Sequence, residues 1–593
     1  MTSNDVEVPV LIVGTGPSGS TTALLLGRLG IQSLVISRHR STANTPRAHI
    51  FNQRAMEVLR DAGLEEAVKP YASNAHHMMH SSWLHSLAGE EYGRLWAWGN
   101  NPARLGEYAV ASPCEMSDLP QSKLEPVLVE QAIKAGAEFR FYTEFVSQKT
   151  LSDGRIVTTL KDRKTNQTYQ VRSNYLIGAD GARSPVLDSL GIAVDGKQLN
   201  TAFNVHIKAD LSRYIAHRPG SLNWILNPEA PDWSAVGNFR MVTPWNEFVV
   251  SMHPANKDGK TFEPGSEDIL KRLHQMIGDD SVPIEILSSF RWTINDQVAR
   301  SWQKGNVICV GDAVHRHPPI NGLGSNTCIS DAMNIAWKLA YVLKGVADPS
   351  ILESITPERK PVGDGIVRRA NEGMEDQRRW WSFIGLTKDE RATAVKLMEE
   401  PTPEGRLQRQ NFRSSLEKLD DELNALGIQM NQIYANSSLS CVEADDAPPS
   451  FEGIDLVKQL AVSTYPGYHL PHVWLAEDGQ SEKVSSLDLC GKGFYTLLTG
   501  IGGNSWIDAA RSLQQQRPGI SINAISIGWH QDYMDAYGDY EKIRGVDEDG
   551  CVLVRPDHFV AWRCRSLPEN PTAKLADIFD KILPRPGSNR KEH

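Results

Sequence analysis

The chain alternates between short, wholly apolar runs and longer runs of helical period. Residues 8–13 read VPVLIV, an uninterrupted apolar stretch of the kind a strand buried on both faces requires. STTALLLGRLG, after a glycine cluster, predicts a helix ending at Gly30, and SLVIS at 33–37 predicts a second buried strand. YLIGADGARS (175–184) reads as an apolar strand turning at Asp180-Gly181. GNVICVGDAVHRHPPINGLGSNTCISDAMN (305–334) reads as a strand over Val307–Val310, a proline-bearing loop and a glycine-rich opening to a long helix. On that helix Ile329, Ala332, Met333, Ala336, Leu339 and Leu343 recur near helical spacing. FRMVTPWNEFVVSMH (239–253) alternates like a strand pair turning at Pro244-Trp245-Asn246.

Beyond Gly345 the pattern changes. Residues 350–440 are charged and helical in period, interrupted by Pro357, Pro361, Pro401 and Pro403, and 404–427 reads as one solvent-exposed helix. DAPPS (446–450) is a linker candidate, after which PGYHLPHVWL, GFYTLLTG, SINAISIG and DGCVLVRPDHFVAWR predict strands of a small α/β domain.

The glycine cluster carries the first chemistry. In GTGPSG, Gly14, Gly16 and Gly19 have G-x-G-x-x-G spacing around Pro17 and Ser18. The first glycine permits a tight turn, the second lets a pyrophosphate approach the backbone, and the third lets helix pack on strand. The helix start then presents N–H groups to phosphate. Where the second strand ends, Ser37 stands in place of the carboxylate that commonly grips an adenosine ribose. That contact would fall to a hydroxyl, the backbone or Arg38.

Composition narrows the partners. A chain of 593 residues suggests three or four domains. A net charge of -10 and a pI near 6.0 argue against nucleic acid. No window approaches ~20 uninterrupted apolar residues, and the N-terminus lacks a secretory pattern. No membrane partner and a cytoplasmic location are expected. The seven cysteines form no C-x-x-C pair, so neither a disulfide framework nor a thiolate metal site is expected. His315 and His317 lack an evident third ligand, and no metal is expected there either.

Three motifs in order, GTGPSG, the Asp-Gly turn at 180–181 and the Gly-Asp turn at 311–312, resemble the single-component FAD-dependent aromatic hydroxylases of the para-hydroxybenzoate hydroxylase fold. TPRAHIFNQRAMEVLRDAGL and GDAVHRHPPINGLGSNTCISDAMNIAWKLA are most similar to the phenol hydroxylase, 2,4-dichlorophenol 6-monooxygenase-like branch. The resemblance implies an α/β chain: a Rossmann-like FAD-binding domain with an inserted mixed β-sheet substrate domain, plus a C-terminal thioredoxin-like domain. Its implied boundaries are 1–195 and 301–350 for FAD binding and 196–300 for the sheet. A helical region at 351–445 and a thioredoxin-like domain at 450–590 without C-x-x-C would follow. Lacking two thiols, that last domain would serve packing or dimerisation, and a homodimer or homotetramer is the expected assembly.

The implied FAD contacts are Gly14, Gly16, Pro17, Ser18, Gly19, Ser37 and Arg38 toward the adenosine end, Arg47 near the phosphates and Gln121 beside the flavin. Asp180 would support flavin and nicotinamide. Asp312 would accept hydrogen bonds from the ribityl chain. Gly322, Gly324, Ser325 and Asn326 would set a helix N-terminus beside the isoalloxazine, where its dipole favours the negative charge of reduced flavin. NADPH or NADH would be a transient reductant, and dioxygen and a phenolic small molecule the substrates, with hydroxylation ortho to the hydroxyl. His49, five positions before Arg54 where relatives carry an acid, is the expected base; His253 and Pro318 complete the expected catalytic set. Trp224, Phe239 and Trp292 are candidate pocket walls. The rival readings are a flavin reductase, a halogenase or a degenerate FAD-binding module. Against the halogenase, W-x-W-x-I-P is missing and LWAWGN is the nearest string.

Overall fold

The computed structural model describes residues 6–255, 263–385, 387–477 and 482–587. The opening strand Val6–Val13 occupies the middle of a parallel sheet, between Thr168–Gly178 and Ser33–Ser37. Val307–Cys309 and Glu138–Phe141 extend that sheet on either side. Val10, Leu11 and Ile12 are 0% exposed, as a strand covered on both faces must be. Helices Pro17–Arg28, Gln121–Lys134 and Gly324–Leu343 contribute to the core on one face. The strands Thr143–Thr150 and Ile156–Asp162 add an antiparallel extension.

A second eight-stranded sheet supplies the inserted domain. Its strands pair antiparallel, except that Gly220–Ile225 runs parallel to His80–Leu84. The expected strand pair is Val236–Thr243 and Glu247–His253. Alternation divides their side chains: Phe239, Met241, Phe248, Val250 and Met252 pack with helix Ser266–Ile277, whereas Val236 and Trp224 join Trp380 on the other side.

The helical region departs from expectation twice. Pro357 and Pro361 do not break it: one helix runs Ile355–Ile384, with Pro361 inside. Ile366, Val367, Ala370 and Trp380 bury one side of it, and that packing holds the helix through the missing hydrogen bond. Residues 404–427, expected as one exposed helix, form Pro403–Glu417 and then the short turns Asp420–Leu423 and Leu426–Met430. The loop beside them meets the second of these breaks. Trp98 N–H donates to the Leu423 carbonyl at 2.9 Å. Asn424, off helical geometry, donates to the Trp96 carbonyl at 2.9 Å. Phe412, Leu416, Leu419, Leu423 and Leu426 are buried.

In the last domain, Ile522–Ser526, Tyr495–Thr499, Cys551–Val554 and Val560–Cys564 form a four-stranded sheet, parallel at its first pair and antiparallel after. Helices Asn504–Gln516 and Pro571–Ile582 cover it. Of PGYHLPHVWL only the end is strand, in Trp474–Glu477. Tyr495, Trp506, Trp562 and Phe579 belong to the same core cluster as Leu24, Trp337 and Tyr341 of the FAD domain. Among the described residues no helix is long and apolar enough to cross a membrane.

Candidate active site

The glycine loop is built as its spacing requires. Gly14 sits at φ +115°, and a Cβ there would lie 2.0 Å from the Ala179 carbonyl oxygen. A Cβ on Gly19 would lie 2.0 Å from the Gly14 carbonyl oxygen, so helix and strand touch. Gly16 is open instead: its nearest neighbour would be Glu125 Oε1 at 3.9 Å. Pro17 and Ser18 form the first turn of the helix that follows.

The second glycine-bearing turn meets the first there. Gly311, at φ +64°, lies so close to Ser18 that a Cβ would come within 2.2 Å of its Oγ. Its N–H donates to Asp331 Oδ2 at 2.9 Å, and the same carboxylate receives His315 Nε2 at 2.9 Å and Arg359 Nε at 2.8 Å. Asp331, His315 and Arg359 are all 0% exposed. Burial pushes the Asp331 carboxyl up, but Arg359 and His315 outweigh it and hold it below the ordinary range. Asp312, next to the clamped glycine, is exposed. His317 turns Nδ1 to the Pro318 carbonyl at 2.6 Å; Pro318 is buried and Pro319 exposed.

Other expected cofactor residues fall around this junction with differing partners. Ser37 closes the second strand, and its Oγ accepts His39 N–H at 3.3 Å. Arg38 and Arg47 are exposed. Gln121 N–H donates to the Ala48 carbonyl at 2.8 Å. Asp180 accepts Ser184 Oγ at 2.5 Å and Val186 N–H at 3.1 Å, which ties it to the start of helix Pro185–Leu190. Burial raises its carboxyl to about 6. Asn326 has its amide engaged by protein: Oδ1 accepts Asn52 N–H at 3.0 Å, and Nδ2 donates to Ile50 at 2.9 Å and to Gly322. It braces the His49–Asn52 segment against the helix start, where Gly324 and Ser325 form the first turn behind Gly322 at φ +61°. Glu125 escaped sequence reasoning. It is 2% exposed and accepts Ala43 N–H at 2.6 Å and Gln121 Nε2 at 2.5 Å. A glutamate within a helix gives no signal of its own.

These residues fit FAD. An open Gly16 at a helix start with exposed arginines suits a diphosphate. The exposed Asp312 carboxylate suits a polyol, and the start of Gly324–Leu343 suits the electron-rich edge of a flavin.

His49 Nδ1 lies 3.0 Å from Asp118 Oδ2, and both are buried. The pairing of Ile50–Phe51 with Ser117–Asp118 brings them together across 69 positions. Burial pushes the Asp118 carboxyl up, with His49 opposing. A carboxylate on Nδ1 fixes the ring's orientation and leaves Nε2 to exchange a proton. Arg240, also unforeseen, donates Nη1 to the Arg47 carbonyl at 3.0 Å. Burial lowers it to about 10, with Asp118 as the opposing charge.

His253 stands apart from that pair. Its ring lies 6.1 Å from Trp224 and 5.4 Å from Trp381, and burial with Arg240 nearby lowers it to about 4, so it is neutral. Trp224 also meets Trp380 at 5.5 Å. The Trp-Trp pair at 380–381 was the overlooked sequence signal. Phe239, a candidate wall, faces away: it meets Phe248 edge-on at 6.0 Å in the opposite core. Trp292 is half-buried opposite Ala202.

Comparison with known proteins agrees with this geometry. The family model described as FAD binding domain matches residues 7–370, and that described as aromatic-ring hydroxylase, C-terminal, matches 463–586. The chain is 42% identical over 592 residues to a 2,4-dichlorophenol 6-monooxygenase of Cupriavidus pinatubonensis (strain JMP 134 / LMG 1197), covering 98% of this chain and 97% of the relative. It is 40% identical over 585 residues to a phenol 2-monooxygenase of Pseudomonas sp. (strain EST1001), covering 97% and 93%. The crystal structure of the flavin-dependent monooxygenase PieE in complex with FAD and substrate superposes with a TM-score of 0.92 at 38% identity, covering 99% of this chain and 100% of that one. The chain therefore belongs to the FAD-dependent aromatic-ring hydroxylases, with a Rossmann-type cofactor domain, an inserted sheet domain and the family's own C-terminal domain.

Proposed function

We propose that the protein hydroxylates a phenol at the carbon ortho to its hydroxyl, with NADPH or NADH as reductant and dioxygen as oxidant. The buried His49–Asp118 pair carries this reading. An aromatic ring is attacked by electrophilic oxygen faster as phenolate, so the site needs a proton acceptor shielded from water. Both similar curated proteins, by their names, act on phenols. FAD, when bound, relays electrons from the nicotinamide and activates dioxygen.

The chain's own residues do the rest. Asp118 orients His49 so that Nε2 takes the phenol proton. The sheet face bearing Trp224 and His253 sandwiches the ring and keeps water out. The start of helix Gly324–Leu343 stabilises negative charge at the flavin, and Pro318 lies in the loop leading to it. Asp331 keeps the Gly311–Asp312 turn in place through Gly311 N–H.

Purified protein should carry FAD, and NAD(P)H oxidation should accelerate with a phenol while a catechol accumulates. His49→Asn should keep its FAD and lose roughly 10²–10⁴-fold in hydroxylation rate. Catechol formation at the wild-type rate by that variant would remove His49 as the base. Lack of any ring-hydroxylated product across a phenol panel would remove the reading itself.

A further inference from the structure

The inward face of the substrate sheet carries polar groups that the reaction at the phenolic hydroxyl does not use. Trp224, Asn238, Ser251 and Asn204 lie in register across four adjacent strands, and directly paired residues share one face. That face is the inward one. Trp224 packs with Trp380, and Arg240, two residues along the strand from Asn238, reaches the Arg47 carbonyl.

Asn238 and Asn204 are 4% and 5% exposed, yet neither Oδ1 has a hydrogen-bond partner among the described residues. Trp381 Nε1, on the indole packed against Trp224 and His253, is buried and unpartnered as well. A buried polar atom left unpaired costs about 1–3 kcal/mol. Folded interiors satisfy nearly all such atoms. With Arg240 Nε, unpartnered on the same sheet face, they leave four polar atoms, three on the sheet and one on the facing helix, that a ligand entering here would satisfy.

The row also lies at a useful distance from the base. Arg240 Nη1 donates to the Arg47 carbonyl at 3.0 Å, two residues before His49. Asn238 is two residues further along the strand, about 7 Å away. A ring whose hydroxyl faces His49 thus extends toward Asn238.

We propose that Asn238, Asn204 and Trp381 form a distal substrate subsite for a second, uncharged hydroxyl carried on the phenol away from its reacting hydroxyl. This rests on the phenol reading above. Each amide oxygen calls for a donor and the indole N–H for an acceptor; a hydroxyl donates one bond, to one of the two amides flanking Ser251, and accepts another from the indole. A carboxylate, which only accepts, pairs with neither amide oxygen and would sit near the Asp118 charge. A chlorine or methyl in the same place leaves both amide oxygens unpaired.

The test uses the FAD-loaded full-length enzyme. Phenols bearing a hydroxymethyl or hydroxyethyl group at the meta or para position are compared with their methyl, ethyl and chloro counterparts. Binding is read by flavin absorbance changes and calorimetry, and turnover by product analysis. The hydroxylated series should bind at least about tenfold more tightly to the wild type. Asn238→Leu and Asn204→Leu should shrink that preference to within about twofold. Both replace an unpaired amide by an apolar side chain of similar size, and FAD content and melting temperature verify their folding. Equal affinity for the two series in the wild type overturns the subsite, as does a preference that survives in both variants. A binding preference without any ring-hydroxylated product overturns the phenol reading and leaves the subsite standing.

Discussion

Glu422 shows how one residue sets a pH dependence. It is 5% exposed, and Gln377 Nε2 donates to its Oε2 at 2.7 Å. Burial outweighs that bond and raises the carboxyl to about 7. A folded-state value above the unfolded one means stability is fully present below about pH 4.5, is lost through the window up to about pH 7 and stays lost above. At pH 8 the ionised group costs about 3 kcal/mol. Glu422→Gln should therefore raise the melting temperature at pH 8 and have little effect at pH 4.5; an equal effect at both would contradict the argument. Such residues resist reading from sequence, and so do Asp118, Arg240 and Glu125. Each is an ordinary charged residue whose role comes from burial by distant segments. Gly14, Gly16, Gly19 and Gly311 were legible because their motif spacing is local, even though the close approaches that a Cβ would obstruct, Gly14 on Ala179 and Gly311 on Ser18, are not, and Gly16 is open. His49 stood between. A motif count reached it, but its partner came from another strand.

At the scale of elements, hydrophobic period located the buried strands Val6–Val13, Ser33–Ser37 and Val307–Cys309 and the long helix Gly324–Leu343, where burial leaves a local imprint, but not such strands of the inserted sheet as Val194–Lys208 and Glu285–Ala299. It failed where tertiary contacts overrule local preference. The helix from Pro403 stops at Glu417, and the Trp96–Gly99 loop takes the Leu423 carbonyl at the end of the short turn that follows; nothing in 404–427 announces that. Pro361 is the reverse case: a breaker that does not break. It is exposed within Ile355–Ile384, so its ring adds no core packing, and it withholds the N–H that residue 357 would accept. A proline inside a helix costs about 3 kcal/mol relative to alanine, partly offset by the stiffer unfolded chain. Pro361→Ala should thus stabilise the protein by about 1–2 kcal/mol, read as a higher denaturant midpoint with unchanged FAD content. A lower midpoint would mean that the proline bends the helix into a packing the protein needs.

At the scale of the molecule, the 446–450 segment looks like a linker, yet it does not separate two independent bodies. Arg563 grips Asp446 at 2.7 and 2.6 Å. Tyr341 of the FAD domain donates to the Gly493 carbonyl at 3.0 Å. Beneath them runs a buried seam of charge. Arg555, from the last domain, donates to both oxygens of Glu358 at 2.7 and 3.0 Å and to both of Asp557 at 3.0 and 2.6 Å. Lys338 of the flavin-domain helix reaches the same Glu358 at 2.6 Å. Arg555 also lies over Tyr434 at 5.2 Å, and Tyr434 bonds Arg359 at 3.1 Å, the residue that holds Asp331 under Gly311. A contiguous path thus joins the C-terminal domain to the Gly311–Asp312 turn. Arg555→Met removes two bidentate partners and leaves Asp557 without its guanidinium in a fully buried place. Breaking such a pair from one side costs about 3–5 kcal/mol. Because the hydrophobic core is continuous across the same boundary, that loss should lower the unfolding of both domains together. Calorimetry should show one transition at a lower temperature, and release of flavin fluorescence should coincide with it. If the C-terminal domain of the variant instead melts first while FAD stays bound, the seam is a local fastening and the two domains are energetically independent.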